Sequence, residues 1–195
     1  MAPPRKRLFF VTGRPGIGKT TVILNATNEL RKRGYLVGGM VTREVKEKGA
    51  RVGFQILDVS GSRTGWLAHI SQPTGPQVGK YRVNLSDLDQ VGVKAIQDAL
   101  VTAEIVVIDE IGPMELLSSR FKQAVRDVLD SDKAALGVVH YRTRETLIDS
   151  IKKRGDVEII EVSVANRDSL HNVIIQRALD FLEEKRRAKT SAAEG

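Results

Sequence analysis

The sequence contains no cysteine among its 195 residues. This absence excludes disulfide bonds, zinc sites built on cysteine and a thiol nucleophile. No apolar run approaches the ~18 residues that a membrane span requires. The basic start "MAPPRKR" is followed by "LFFVTG", which is too short for the apolar segment of a signal peptide. We therefore expect a soluble cytoplasmic protein that makes no membrane contact.

A basic surface spread over the whole chain is also missing, although the net charge is +7. The excess is confined to the two ends, and the other 24 basic residues match the 24 acidic ones. Solvated tails are the expected role of these ends, and they leave an RNA partner open with weak support. The basic residues at the ends are Arg5, Lys6, Arg7, Lys185, Arg186, Arg187 and Lys189.

Short apolar runs alternate with amphipathic stretches, which predicts an α/β fold with a mostly parallel sheet covered by helices on both faces. At this length we expect one domain over residues 1–187, with a β-rich antiparallel insertion at 35–70 and a disordered tail at 188–195. Ser86 is the expected N-cap of one helix. The predicted strands are 7–13, 35–45, 50–61, 61–70, 104–109, 134–140 and 157–163, and the predicted helices are 20–34, 86–100, 118–131, 143–155 and 167–187.

The stretch "GRPGIGKTT" at 13–21 matches the pattern G-x-x-x-x-G-K-[ST], the Walker A motif or P-loop, between a predicted strand and a predicted helix. Gly13, Gly16 and Gly18 allow the backbone to curl so that its N–H groups point at phosphate oxygens. The following helix directs the positive end of its dipole at the same anion. Lys19 is expected to reach the β- and γ-phosphates, and the Thr20 hydroxyl is expected to bind Mg²⁺.

The stretch "EIVVIDEIGPMEL" at 104–116 carries two adjacent acids at the end of a predicted buried strand. Carboxyl ends of strands are where phosphates and metals bind in this type of fold, so Asp109 is the expected Mg²⁺ ligand of a Walker B motif. Glu110 is the expected catalytic base that prepares a water for attack on the γ-phosphate. An ordinary surface ion pair is the alternative for Glu110. The β-rich stretch between this motif and the P-loop leaves room for another strand between them.

Together these pieces resemble the cancer-related nucleoside-triphosphatase family, which includes bacterial and archaeal thermophile members. The resemblance also covers "GGMVTREVKEKGARVGFQILDVSG", "GKYRVNL" and "VSVANRDSL". It implies a RecA-like three-layer fold with an inserted β-hairpin, and Mg²⁺-dependent hydrolysis of ATP, GTP and other nucleoside triphosphates with loose base preference. The nucleotide site implied by the resemblance comprises Gly13, Arg14, Pro15, Gly16, Ile17, Gly18, Lys19, Thr20, Thr21, Asp109, Glu110, Ile111 and Gly112.

Several polar residues remain open between a functional and a structural role. Asn166 and Arg167 follow the last strand, where they are expected to contact the base or, alternatively, to cap the last helix. His140 is a sensor of the γ-phosphate or an ordinary hydrogen-bonded histidine, and Glu115 is a partner in the site or an acid favoured by a helix dipole. Arg43 and Glu44 either close over the phosphates or form a surface pair.

The sequence supports a monomeric Mg²⁺-dependent nucleoside triphosphatase as the first hypothesis. A kinase that acts on a small molecule or an RNA end is the second, although neither an acceptor pocket nor an arginine-rich lid is evident. A nucleotide-dependent switch is the third. No dedicated arginine finger is evident, and its absence would remove about 10³–10⁵ in rate. We therefore expect slow turnover or help from a partner.

Overall fold

One nine-stranded sheet runs through the computed structural model, which describes residues 4–193. The strands lie in the order β5-β6-β4-β3-β2-β7-β8-β1-β9. Strands β2, β7, β8, β1 and β9 are parallel to one another, and β3, β4, β6 and β5 extend the sheet in antiparallel pairing. The strands are β1 Leu8–Thr12, β2 Val37–Glu47, β3 Ala50–Asp58, β4 Thr64–His69, β5 Gln77–Val78, β6 Tyr81–Val83, β7 Ile105–Ile111, β8 Ala134–Val139 and β9 Val157–Glu161.

Helices cover both faces of the sheet, each burying an apolar stripe against it. On one face α1 and α6 pack through residues such as Ile23 and Ile174. On the other face α3, α4 and α5 pack through residues such as Ile96, Phe121 and Ile148. The fold is thus a three-layer α/β sandwich, as predicted. The helical elements are α1 Lys19–Lys32, α2 Leu85–Asp87, a π-helical segment Leu88–Val93, α3 Lys94–Thr102, a 3₁₀ turn Glu115–Leu117, α4 Ser119–Asp130, α5 Thr146–Lys153 and α6 Leu170–Ala193.

The strand between the two nucleotide-binding motifs is β8, which pairs in parallel with both β1 and β7. The expected further strand between the two motifs is thus present, but it follows both motifs in sequence and does not come from the β-rich stretch. The reason is that β2 instead pairs with the far side of β7, through Val37–Met40, before its second half turns to pair with β3. The antiparallel extension also continues beyond the predicted limit of 70, because β5 and β6 form within residues 71–80, which composition predicts to be a loop, and just after them.

Two predicted helix boundaries also differ from the structure. Asn84, rather than Ser86, is the N-cap of α2, because its side chain accepts a hydrogen bond from the Asp87 N–H at 3.0 Å. α6 continues through Ala193, whereas a disordered tail was predicted from 188. The Thr190 hydroxyl donates to the Arg186 carbonyl within this last part of the helix. Residues 194–195 of the predicted tail lie outside the described residues.

The basic ends pack on the body instead of forming solvated tails. Arg5 pairs with Glu184 at 2.5 Å, and Arg7, whose side chain is 11% exposed, pairs with Asp156 at 2.9 Å. Arg186 pairs with Glu104 at 2.7 Å. These contacts neutralise much of the local charge. Within residues 4–193, no helix combines the length and the apolar character that a membrane span requires.

Candidate nucleotide-binding site

The loop between β1 and α1 has the curled backbone that its glycines predict. Gly13, Gly16 and Gly18 all have positive φ, at 148°, 75° and 111°. A Cβ at Gly13 would also lie 3.0 Å from the Val162 carbonyl oxygen, so a side chain has no room there. α1 begins at Lys19 with no side-chain cap, and its first N–H groups have no intrahelical partner. The loop thus presents backbone donors and a helix N-terminus to an anion.

A cleft of about 420 Å³ lies in front of this loop, between α1 and the antiparallel part of the sheet. We call it the P-loop cleft. The P-loop residues on its wall lie close to Glu110 and His140, which come from the ends of the neighbouring strands β7 and β8. The cleft is lined by Gly13, Pro15, Gly16, Gly18, Lys19, Thr20, Thr21, Thr42, Arg43, Glu44, Arg51, Phe54, Glu110 and His140.

Asp109 lies directly behind the cleft and is fully buried. Neither of its carboxylate oxygens forms a hydrogen bond of normal geometry with the described residues. Burial and the neighbouring charge of Glu110 raise the pKa of Asp109 to about 7, although the nearby Thr20 hydroxyl and the Lys19 ammonium oppose this rise. A buried, unpartnered carboxylate is costly, so the site is built for a cation or a proton.

Glu110 faces the cleft because the pairing of β7 with β8 is irregular at this point. The register shifts between Ile108 and Ile111, and a shift of this kind re-aims the side chains beside it. Glu110 is half-buried, and its Oε1 is buried without a hydrogen-bond partner among the described residues. Glu110 does not form the surface ion pair that was its structural alternative. The next residues, Ile111 and Gly112, are buried and do not line the cleft.

His140 lies at the end of β8 with a defined ring orientation. Its Nδ1 accepts hydrogen bonds from the N–H groups of Arg142, at 3.3 Å, and Thr143, at 3.1 Å. In the neutral ring these bonds place the proton on Nε2. His140 is therefore fixed by ordinary hydrogen bonds and also lines the P-loop cleft, and its role as a sensor of the γ-phosphate stays a prediction.

Glu115 lies beneath Glu110 and is 4% exposed. A Cβ at Gly112 would lie 3.1 Å from Glu115 Oε2 and 3.5 Å from Glu110 Oε1, so both carboxyl groups lie beside this glycine. Burial, followed by the charges of Glu110 and Asp109, raises the pKa of Glu115 to about 8. Glu115 starts a 3₁₀ turn of three residues. It therefore does not lie at the N-terminus of a long helix whose dipole would stabilise its charge.

The far wall of the cleft comes from the β2–β3 hairpin, and sequence reasoning identified only part of it. Arg43 and Glu44 were considered, whereas Arg51 and Phe54 were missed. Arg51 follows the hairpin turn and pairs in register with Lys46, and its side-chain contact with Glu44 depends on the register of the two strands, which shifts at Val45/Lys46. The "REV" and "RVGF" pieces on either side of the turn are the only sequence signal for this wall.

The remaining predicted residues lie around the cleft without lining it. The Arg14 side chain is exposed, and its carbonyl accepts a hydrogen bond from Lys19 Nζ at 3.4 Å, whereas Ile17 packs into the core. The Asn166 side chain bonds to two backbone groups that precede it in the chain. It accepts from the Ser163 N–H at 2.8 Å and donates to the Glu161 carbonyl at 2.9 Å. It does not cap α6, which begins at Leu170. Arg167 is near the loop, with its Cδ 3.9 Å from the Cβ position of Gly18.

No group of three or more acidic or histidine side chains suited to a metal ion occurs among residues 4–193. A Mg²⁺ site of the P-loop type does not need one, because it uses one or two protein oxygens together with substrate phosphates and water. The unpartnered Asp109 carboxylate beside the Thr20 hydroxyl provides that smaller set.

Comparison with known proteins gives consistent matches over most of the chain. A family model described as NTPase matches residues 8–175. The nucleoside-triphosphatase THEP1 of Thermofilum pendens is 50% identical over 83% of this chain and 90% of its own length. The protein of the same name from Methanosarcina acetivorans is 44% identical over 87% of this chain and 95% of its own.

Two solved structures have the same fold. The crystal structure of THEP1 from Aquifex aeolicus aligns with a TM-score of 0.77 and 26% identity, over 87% of this chain and 97% of the other. The solution structure of a human cancer-related nucleoside triphosphatase aligns with a TM-score of 0.74 and 33% identity, over 89% of this chain and 96% of the other.

Proposed function

Since the chain belongs to the NTPase family and is a nucleoside-triphosphatase, we propose that it hydrolyses ATP, GTP and other nucleoside triphosphates to the diphosphate and phosphate, with Mg²⁺. The observation that carries this proposal is the shared cleft: the P-loop and Glu110 line one cavity, with the unpartnered Asp109 directly behind it. The supporting relatives are nucleoside-triphosphatases by name.

The triphosphate binds to the loop amides and to the N-terminus of α1. Lys19 lines the cleft and adds a positive charge beside the β- and γ-phosphates, where negative charge increases during the reaction. Donors fixed in advance by the backbone need no reorganisation when that charge develops. This arrangement stabilises the transition state more than the bound substrate.

The Thr20 hydroxyl and the Asp109 carboxylate are the proposed Mg²⁺ ligands. Asp109 fits this role because its buried oxygens have no other partner among the described residues. When bound, Mg²⁺ neutralises charge on the phosphate oxygens. It would also oppose the rise that burial causes in the pKa of Asp109, because a cation favours the ionised carboxylate.

Glu110 is the proposed base for the attacking water. Glu110 lines the cleft, and its buried Oε1 has no hydrogen-bond partner among the described residues, so the carboxyl group is not committed to another contact. Asp109, by contrast, is enclosed behind the cleft. The two adjacent acids thus have separate tasks, one at the metal and the other at the water.

Loose base preference follows from a base region with few fixed polar groups. Both polar atoms of the Asn166 side chain are already bonded to the backbone, so Asn166 shapes the turn between β9 and α6. The Arg167 side chain is 45% exposed, and its contact with Asp168 is long at 3.8 Å. Arg167 is therefore the residue available to stack on a base of any identity.

The test is phosphate release from ATP and GTP, measured with and without Mg²⁺ and compared with Lys19→Ala. We expect release by the wild type only when Mg²⁺ is present, and a large loss in Lys19→Ala. A wild-type protein that binds nucleotide and releases no phosphate would contradict the proposal. Transfer of the phosphoryl group to an added nucleoside or RNA end faster than to water would favour a kinase instead.

A further inference from the structure

The hairpin wall of the P-loop cleft carries an arginine to which no role in the hydrolysis reaction has yet been assigned. Among the described residues, three cationic side chains line this cleft: Lys19, Arg43 and Arg51. Lys19 belongs to the P-loop, whereas the two arginines come from β2 and β3 on the opposite wall. A triphosphate in the loop would therefore have positive charge on both sides.

Arg51 is held at this wall by three neighbours. Its Nε donates to the Tyr81 hydroxyl at 2.9 Å, and its Nη1 donates to Glu44 Oε1 at 2.5 Å. The guanidinium carbon lies 5.2 Å from the centre of the Phe54 ring, within the range of a cation–π contact. Contacts from three sides limit the rotamers of a side chain that would otherwise be free on the surface.

These neighbours are themselves fixed by packing. Tyr81 is 6% exposed, and its ring meets that of Phe54 edge to face, with 5.2 Å between the ring centres. Phe54 lines the cleft, so the aromatic pair forms a platform that extends from the core to the cleft. The platform supports the guanidinium group of Arg51 at the cavity.

Arg51 retains donors for a ligand. A guanidinium group has five N–H donors, and the two on Nη2 have no partner among the described residues. The Arg51 side chain is 44% exposed, so a phosphate can approach it. Arg43 also keeps free donors on Nη1, but among the described residues its guanidinium group is held only by the neutral side chain of Gln55, at 3.1 Å and 2.7 Å.

Glu44 balances the charge of Arg51 when no nucleotide is bound. A phosphate that enters the cleft offers the guanidinium a more highly charged acceptor with oxygens that suit its planar fork. Glu44 and Tyr81 then act as positioning residues, since their proposed effect on the reaction is exerted through Arg51.

We propose that Arg51 is the catalytic arginine that the chain supplies in cis, donating from the β2–β3 hairpin to the γ-phosphate as it is transferred to water. This proposal rests on the proposed nucleoside-triphosphate hydrolysis at the P-loop cleft. It differs from the sequence-based expectation of no dedicated arginine finger, because only the folded β2–β3 hairpin brings Arg51 to the cleft wall.

The experiment compares wild type, Arg51→Ala, Arg51→Lys and Tyr81→Phe by phosphate release, by affinity for a non-hydrolysable ATP analogue and by thermal unfolding. Removal of a donor to the transition state costs about 10²–10³ in turnover. We expect a loss of kcat of this size in Arg51→Ala, with a much smaller change in affinity. Arg51→Lys keeps the charge without the fork and should recover only part of the loss. In Tyr81→Phe, the lost hydrogen bond should lower kcat about 3–10-fold.

Chemical rescue separates a catalytic from a structural role. Guanidinium chloride, added far below unfolding concentrations, should restore part of the Arg51→Ala turnover, whereas the same concentration of sodium chloride should not. Arg82→Ala is the matched control, because Arg82 is exposed on the same antiparallel extension and bonds only the Gly75 carbonyl among the described residues. Its turnover should equal that of the wild type.

Full turnover in Arg51→Ala would overturn the proposal while leaving nucleoside-triphosphate hydrolysis intact. The proposal would also be overturned if Arg51→Ala lost turnover and nucleotide affinity equally, unfolded at a lower temperature and showed no rescue. Arg51 would then be a residue that stabilises the hairpin. Failure of the wild type to release phosphate would refute the proposed hydrolysis itself, and is thus distinguishable from failure of Arg51.

Discussion

At the scale of single residues, Glu115 is the acid whose environment most favours the neutral form. It is 4% exposed, and burial together with the charges of Glu110 and Asp109 raises its pKa from 4.5 to about 8. At neutral pH the Glu115 carboxyl group is therefore mostly protonated, so it does not place a full negative charge beside Glu110. Glutamine resembles this neutral form in shape and cannot titrate.

This environment predicts how stability depends on pH. The folded protein binds the Glu115 proton more tightly than the unfolded chain, so its contribution is complete below pH 4.5 and is lost as the pH rises towards about 8. Glu115→Gln should make the free energy of unfolding less dependent on pH across this window. Asp109 contributes with the same sign in both proteins, since its pKa is also raised.

Urea unfolding of the metal-free and nucleotide-free protein, at several pH values between 5 and 9, measures this dependence. The matched control is Glu145→Gln, which removes an acid at the start of α5 that pairs only with Lys122, at 3.6 Å. An unchanged pH dependence in Glu115→Gln would show that Glu115 does not titrate in this window.

Single residues were predictable from sequence where a local motif specifies them. Lys19, Thr20 and Glu110 line the cleft as the spacing of their motifs predicts, because each motif fixes its own strand end or helix start. Arg51 was not predictable, because its location depends on the register of two strands and on the distant Tyr81. Asn166 was ambiguous for a similar reason, since its role depends on where α6 begins.

At the scale of elements, Ser118 connects two helical segments on one face of the sheet. Its hydroxyl oxygen accepts from the Phe121 N–H at 3.0 Å and caps α4, and the same hydroxyl donates to Asp89 Oδ1 at 2.6 Å. Asp89 lies in the π-helical segment that precedes α3. One buried side chain thus fixes the start of α4 relative to the neighbouring segment.

Ser118→Ala should therefore destabilise the protein by about 1–2 kcal/mol, because it removes an N-cap and leaves Asp89 without this partner. Ser119→Ala is the control, since Ser119 is exposed at the first position of α4. Urea unfolding of both variants measures the difference. Equal stabilities of the two variants would show that the Ser118 contacts add nothing to the fold.

Helices and strands were predictable from sequence where the apolar periodicity is strong. They were less predictable where pairing with another strand determines whether a strand forms. The amphipathic stretch of α4 was predicted within one residue at each end, because Ser118 and the apolar spacing mark it. β5 and β6 were placed in or beside a loop, because two and three residues are too short for an alternating pattern. They are strands only through pairing with each other and with β4.

At the scale of the whole molecule, the sheet collects residues that are far apart in sequence. Thr12 at the end of β1 donates to the Val139 carbonyl at the end of β8 at 2.9 Å, which ties these neighbouring strand ends together. The class of fold followed from alternating strands and helices, but the strand order did not. Local pattern does not specify which parallel strands become neighbours, and β8 lies between the two motifs although it follows both in sequence.

The division of labour between Asp109 and Glu110 is the central claim, and Glu110→Gln tests it most directly. Phosphate release should be measured with saturating ATP and Mg²⁺, alongside binding of a non-hydrolysable analogue. We predict that Glu110→Gln binds the analogue as the wild type does and loses about 10²–10⁴ in turnover, the contribution of a general base. Full turnover in Glu110→Gln, with Lys19→Ala inactive, would contradict the account.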